Sequence, residues 1–182
     1  MKTSYLFVLI WALSLPASFS FAKEPPYIKN MMGQVQLQGL GRLNFWGFHV
    51  YDANLYRGAA KDSQEFALEV RYQRSFSGEA IANRTMDEMK NLGVADAQAT
   101  TWGKELASIL PNIEPGQTIT AVYIPKQGTS LFHDGKKISQ IPGPDFAKAF
   151  FGIWLDSKTS VPKLRADLLG QGCPPPLISG AC

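Results

Sequence analysis

A permanent cation stands in an otherwise apolar stretch of this chain. Arg42 follows Gly39-Leu40-Gly41, and Val50-Tyr51-Asp52-Ala53-Asn54-Leu55-Tyr56 comes shortly after it. A guanidinium inside strand-forming sequence must be paired, because taking it from water alone costs several kcal/mol. Two kinds of partner suit it. A carboxylate of the chain, Asp52 or Glu69, would give a structural ion pair. An anionic ligand head would instead be gripped by the planar fork of Arg in bidentate geometry, with a Tyr hydroxyl as a further donor.

Register decides which side chains stand beside Arg42. If Trp46-Gly47 closes a two-residue hairpin, then Phe45 faces Phe48, Asn44 faces His49, Leu43 faces Val50 and Arg42 faces Tyr51, roughly 4.5–5.5 Å apart at Cβ. Alternation puts Arg42, Asn44, His49 and Tyr51 on one face with Leu40, Ala53 and Leu55. Leu43, Phe45, Phe48, Val50 and Tyr56 take the other. The weak point is Trp46, a poor residue for the positive φ of such a turn; a register slip of one residue would separate Arg42 from Tyr51.

Other chemistries find little support. The chain has two histidines, His49 and His133; a hydrolase would have to use His49, and no Gly-x-Ser-x-Gly elbow accompanies it. The His and Cys residues show no metal-ligand spacing. Gly39-Leu40-Gly41 lacks the third glycine of a dinucleotide loop and leads into a strand rather than a helix. No cofactor is implied. Asp87-Glu88-Met89-Lys90 reads as a solvated helix face.

The elements that must position Arg42 follow from periodicity. Gln34 to Arg57 reads as strands joined by tight turns. Phe66 to Tyr72 alternates apolar with Ala67, Glu69 and Arg71, a strand with one buried face. The period then changes to that of helices. One starts at Ser77 as N-cap, with Glu79 in its first turn and Ile81, Met89 and Leu92 along a stripe. The next starts near Asp96, carries Trp102, Leu106, Ile109 and Leu110, and stops at Pro111. Gly103 weakens it by roughly 1 kcal/mol relative to Ala, so packing must hold it. Strand periodicity returns at Thr118–Ile124, and Asp134-Gly135 is a type I′ hairpin signal. Helices are predicted over Asp145 to Leu155 and Val161 to Leu169, the latter capped by Ser160 and stopped by Gly170. This order defines an α+β domain with helices on one face of an antiparallel sheet.

Among 182 residues, Met1-Lys2 precedes an apolar run from Tyr5 to Leu15 and a small-residue stretch ending at Ala22, the layout of a secretory signal peptide over residues 1–22. The run is too short to span a bilayer, and no Cys stands at the cleavage point to accept lipid, so no stable membrane anchor is expected. Residues 23–182 then form a single domain, with a core at about 34–169 and a tail over 170–182. Glu24-Pro25-Pro26 marks an extended start. The expected location is the periplasm, although an export signal alone also permits secretion. A net charge of +3 is far below the basic excess that phosphate-backbone binding requires, which argues against nucleic acid as a partner. In an oxidising compartment Cys173 and Cys182 form a plausible disulfide around a Pro-rich loop, the alternative being two free thiols.

The segments around Arg42 and Tyr51, taken with Phe150-Phe151-Gly152-Ile153-Trp154-Leu155-Asp156 and Leu164-Arg165, resemble the chalcone-isomerase-like superfamily, particularly its bacterial exported branch, from about Gln34 to Leu169. Many members carry Gly where this chain has Asp156. The resemblance implies an open-faced β-sandwich of the α+β class with a pocket. In plant chalcone isomerases an Arg at the place of Arg42 polarises a ketone while a flavonoid ring closes on an enone. In the related plant fatty-acid-binding proteins the same Arg, with a Tyr corresponding to Tyr51, holds a fatty-acid carboxylate. Keeping Arg42 and Tyr51 fits the binder more closely.

The leading expectation is therefore an exported binder of a fatty acid or similar lipophilic carboxylate. Arg42 and Tyr51 would clamp its head, with Asn44 and His49 on the same face and Tyr72 in the pocket lining; Thr120 and Tyr123 are looser candidates. Burying a dozen methylenes gives a gross term near ~10 kcal/mol, against about 1.5–3 kcal/mol for a charge-assisted hydrogen bond. The tail would supply affinity and the cation selectivity. An intramolecular lyase of chalcone-isomerase type, using Arg42 and Tyr51, is the enzymatic alternative. A structural module with Arg42 tied to an internal carboxylate, and no cavity, is the third. Trp154 and Phe150 read as core residues or as walls of an acyl pocket.

Overall fold

Six strands lie side by side in chain order in one antiparallel sheet: β1 (Val35–Phe45), β2 (Phe48–Gly58), β3 (Phe66–Tyr72), β4 (Thr118–Ile124), β5 (Gly128–His133) and β6 (Lys136–Ile141). The computed structural model describes residues 24–60 and 62–178. The expected cleavage point at Ala22 and the expected bridge partner Cys182 lie outside them. Between β3 and β4 the chain makes α2 (Gly78–Asn91) and α3 (Asp96–Ile109), and after β6 it makes α4 (Pro144–Leu155) and α5 (Pro162–Leu169); α1 (Pro26–Met32) precedes the sheet.

The α+β architecture is the expected one, and the helices follow their signals closely. Ser77 caps α2 by accepting from the Ala80 N–H at 3.1 Å. In α3, buried Gly103 brings the helix against Met86 of α2, where an added Cβ would lie 2.9 Å from the Met86 Cβ. Close packing thus holds a helix that its glycine weakens. At α5 the cap differs from expectation: Val161 occupies the N-cap position without a side-chain bond, and the Ser160 hydroxyl donates to Glu88 at 2.9 Å instead.

The core lies between the sheet and α2 to α5. Ala53, Leu55, Leu68, Val70, Ala121 and Leu131 face it from the strands, and the aromatic run of α4 meets them, with Phe151 edge-on to Phe66 at 4.6 Å between centroids. A smaller cluster forms on the other face, where Ile28 and Met32 of α1 cover Tyr56, Ala67, Val122 and Phe132. This helix replaces the extended start read from Glu24-Pro25-Pro26, because a proline in the first helical turn has a suitable φ and lacks only an N–H that would be unpaired there. It also changes β3. Ala67 and Glu69 were expected on a solvated face but are buried, and within the strand Arg71 alone is exposed.

Both short hairpins form as read. Asp134 and Gly135 have φ of 46° and 78°, and Trp46 and Gly47 have 51° and 79°, the two positive values of a type I′ turn. A side chain with a Cβ in this region costs roughly 1–2 kcal/mol, so Trp46 works against its own turn.

The glycine pair ahead of Arg42 serves packing. A Cβ on Gly39 would collide with the backbone carbonyl of Leu168, and one on Gly41 would meet the Leu164 and Asp167 side chains. Helix α5 rests directly on this strand. Gly39→Ala is expected to lower stability by about 1–3 kcal/mol through overpacking, read as a lower urea midpoint with unchanged slope.

Candidate functional site

The β1–β2 register begins as expected, with Phe45 opposite Phe48 and Asn44 opposite His49, and then shifts. Val50 is an extra residue on β2, so Leu43 pairs with Tyr51 and Arg42 with Asp52. A bulge of this kind reverses the facing of every side chain beyond it. The shared face of Arg42 and Tyr51 expected from the sequence is therefore not formed. Arg42 stays on the face away from α2 to α5, and Tyr51 turns toward them.

On the outer face Arg42 meets a carboxylate of the chain. Its Nε donates to Asp52 Oδ1 at 2.8 Å, His49 Nε2 lies 3.0 Å from the same oxygen, and the Gln73 amide donates to Asp52 Oδ2 at 3.2 Å. Burial pushes the Asp52 carboxyl up, but the hydrogen bonds from Arg42 and His49 outweigh it and hold the group below the usual carboxylate range. Asn44 is exposed beside this cluster. Of the two internal partners considered for Arg42, Asp52 is the one present. Glu69 is buried farther along, between the Tyr27 hydroxyl at 3.2 Å and Arg71 at 3.4 Å. Thr120 also faces this side, 2.8 Å from the Tyr27 oxygen.

Tyr51 and Tyr72 line a cavity of about 520 Å³ on the inner face. Its walls are mainly apolar: Leu68, Val70, Ala121 and Leu131 come from the sheet, Phe150 and Trp154 from α4. Phe150 and Trp154 are buried core residues, as the first reading had it, and they also wall this cavity. Tyr123 packs on Phe66 at 5.3 Å instead. The Trp154 Nε1–H donates to the Tyr51 oxygen at 2.9 Å, which leaves the phenol's own proton available to an acceptor in the cavity. Burial raises the Tyr51 pKa to about 12, opposed by the Trp154 bond. Burial likewise pushes Tyr72 up. Both remain protonated donors at neutral pH.

The cavity's charged groups come from α2. Arg84, Thr85 and Glu88 line it, with Ser160 across from them. Arg84 forms an ion pair with Glu88, whose Oε1 also accepts from Ser160. The Arg84 side chain is exposed while that of Glu88 is buried, so the pair marks a polar edge of an apolar chamber. Reading Asp87-Glu88-Met89-Lys90 as a solvated face was wrong for Glu88. A usable signal was present: positions 81, 84, 85 and 88 share a helix face, and Ile81 belongs to the apolar stripe.

An open antiparallel sheet whose helices enclose an apolar cavity on one face defines a class of small α+β proteins built around a hydrophobic chamber. The particular family follows from comparison: the chalcone isomerase-like family model matches residues 22–170, and the chain belongs to that family. An uncharacterized protein of Haemophilus influenzae is 26% identical over 139 residues, covering 74% of this chain and 68% of its own. The crystal structure of an Arabidopsis thaliana fatty-acid binding protein has a TM-score of 0.60, covering 75% of this chain and 87% of that one at 11% identity. That likeness is one of fold.

Two outcomes test this geometry. Tyr51→Phe strands the Trp154 N–H and is expected to cost about 1–3 kcal/mol in urea unfolding, with loss of one late phenolate titration in the absorbance. Because the Asp52 pKa is lowered in the fold, its contribution is present above the ordinary carboxylate range and lost as pH falls through the lowered value. Asp52→Asn is expected to flatten the fall of the urea midpoint in that acidic window.

Proposed function

We propose that the protein binds a fatty acid or a similar lipophilic carboxylate in the inner cavity. The observation that carries this reading is the mainly apolar chamber of about 520 Å³ between the sheet and the helices, within the range of small-molecule pockets. The fold shared with the Arabidopsis thaliana fatty-acid binding protein supports it.

The acyl chain lies along Leu68, Val70 and Leu131, and burial of methylenes drives binding. The head is held differently from the Arg42 and Tyr51 clamp, because Arg42 faces away. Tyr51 donates its phenolic proton, and Arg84 supplies the cation. Arg84 has five N–H donors in a planar fork, more than its pairing with Glu88 consumes. Glu88 and Ser160 hold that fork at the edge of the chamber. In this reading the chain is exported after cleavage at Ala22 and works in the periplasm with Cys173 and Cys182 bridged.

Native mass spectrometry of protein recovered from the expressing cell, with extraction and identification of bound lipid, tests the proposal. A lipophilic acid is expected on the wild type and on Arg42→Ala. Ile81→Trp, which fills the chamber from α2, is expected to carry none. Tyr51→Phe and Arg84→Gln should each weaken a fluorescent fatty-acid probe by about tenfold or more. Empty wild-type protein that also fails to bind the probe would overturn the reading.

A further inference from the structure

The β1–β2 tip spends residues in a way the fold does not require. Trp46 sits at φ 51°, where Asn or Gly is the easier choice, and 86% of its surface is exposed. Its ring lies 6.3 Å from Phe45, and Phe45 and Phe48 are themselves 65% and 59% exposed. Aromatic surface is thus held in water by a strained turn, with little burial to compensate.

Among the described residues the unpaired charge beside this tip is a cation. The Arg74 guanidinium lies 4.9 Å from the Phe48 ring centroid, and among the described residues Arg74 takes part in none of the ion pairs. Arg42, also close to the tip, is paired with Asp52, so Arg74 is the cation left to face a partner. Phe45 is also part of the cavity wall, as is Arg84, so the tip is continuous with the chamber.

We propose that this tip docks the protein on the surface of an anionic lipid bilayer, with Trp46 and Phe48 entering the headgroup layer and Arg74 facing lipid phosphates. Trp favours that layer because its amphipathic ring suits the boundary between water and hydrocarbon. Apolar insertion and cationic attraction to anionic lipid act together in interfacial binding. A second copy of the chain fits less well, since a two-fold contact through the tip would set Arg74 near its own equivalent. The inference does not rest on the identity of the cavity's ligand: docking is read by vesicle flotation, and cavity occupancy by lipid extraction.

Flotation of protein recovered from the expressing cell with phosphatidylcholine–phosphatidylglycerol vesicles is the test. Wild type is expected to float with the vesicles, and Trp46→Asn to partition about tenfold more weakly. This variant keeps the turn, because Asn-Gly is a favoured type I′ pair, and should melt no lower than wild type. Arg74→Gln is expected to weaken binding to the anionic vesicles. Wild type left in the unbound fraction would overturn the proposal, as would equal partition of Trp46→Asn. A concentration-dependent dimer that Trp46→Asn abolishes, with no flotation of either protein, would overturn it in favour of self-association.

Discussion

The extra residue at Val50 is the constraint on which the site depends. It lets β2 present Asp52 to Arg42 on the outer face while turning Tyr51 inward beside Leu43. Without it, Arg42 and Tyr51 would share a face, and an ion pair and a phenol would compete for one location. With it, the guanidinium is paired by the chain itself, and a neutral donor stands in the chamber. Arg42 and its counter-charge are thus kept out of the chamber, whose own ion pair, Arg84 with Glu88, sits at its edge.

The sheet consequently has two environments. Its inner face is hydrophobic from β1 to β5 and closed by α2, α4 and α5. Its outer face is polar at one end, where Arg42, His49, Asp52 and Gln73 meet, and apolar at the other, under α1. Glu69 lies at the boundary, buried but hydrogen-bonded by Tyr27 and Arg71. An unpartnered carboxylate there would cost several kcal/mol. Tyr27 therefore does more than cover apolar surface: it couples α1 to the polar centre of the sheet.

Much of the fold was legible in the sequence because its cues are local. The Asp134-Gly135 turn, the Ser77 cap and the change of period after Tyr72 each depend on a few neighbouring residues. The site was less legible. A bulge is a choice of the paired backbone, and nothing in Asn44 or Val50 announces it; one added residue was enough to reverse the facing of Tyr51. Glu88 was misread because a carboxylate within a charged run looks solvated until the Arg84 fork and the Ser160 hydroxyl are placed against it. The short helix α1 was hidden by two prolines that suggest extension yet also suit a first helical turn.

An open sheet has two unpaired borders, and both are irregular here. β1 carries Gln38 as an extra residue, and β6 carries Ile138 as one. The Gln38 amide donates to the carbonyls of Leu169 and Cys173, fastening the end of α5 and the start of the tail beside that border. Lys136 and Lys137 stand on the other. A straight border eleven residues long would be a template for a foreign strand, whereas a bent one flanked by tail or lysines is not. The same backbone device that sorts side chains between faces in β2 thus guards the borders of β1 and β6 against sheet-to-sheet aggregation.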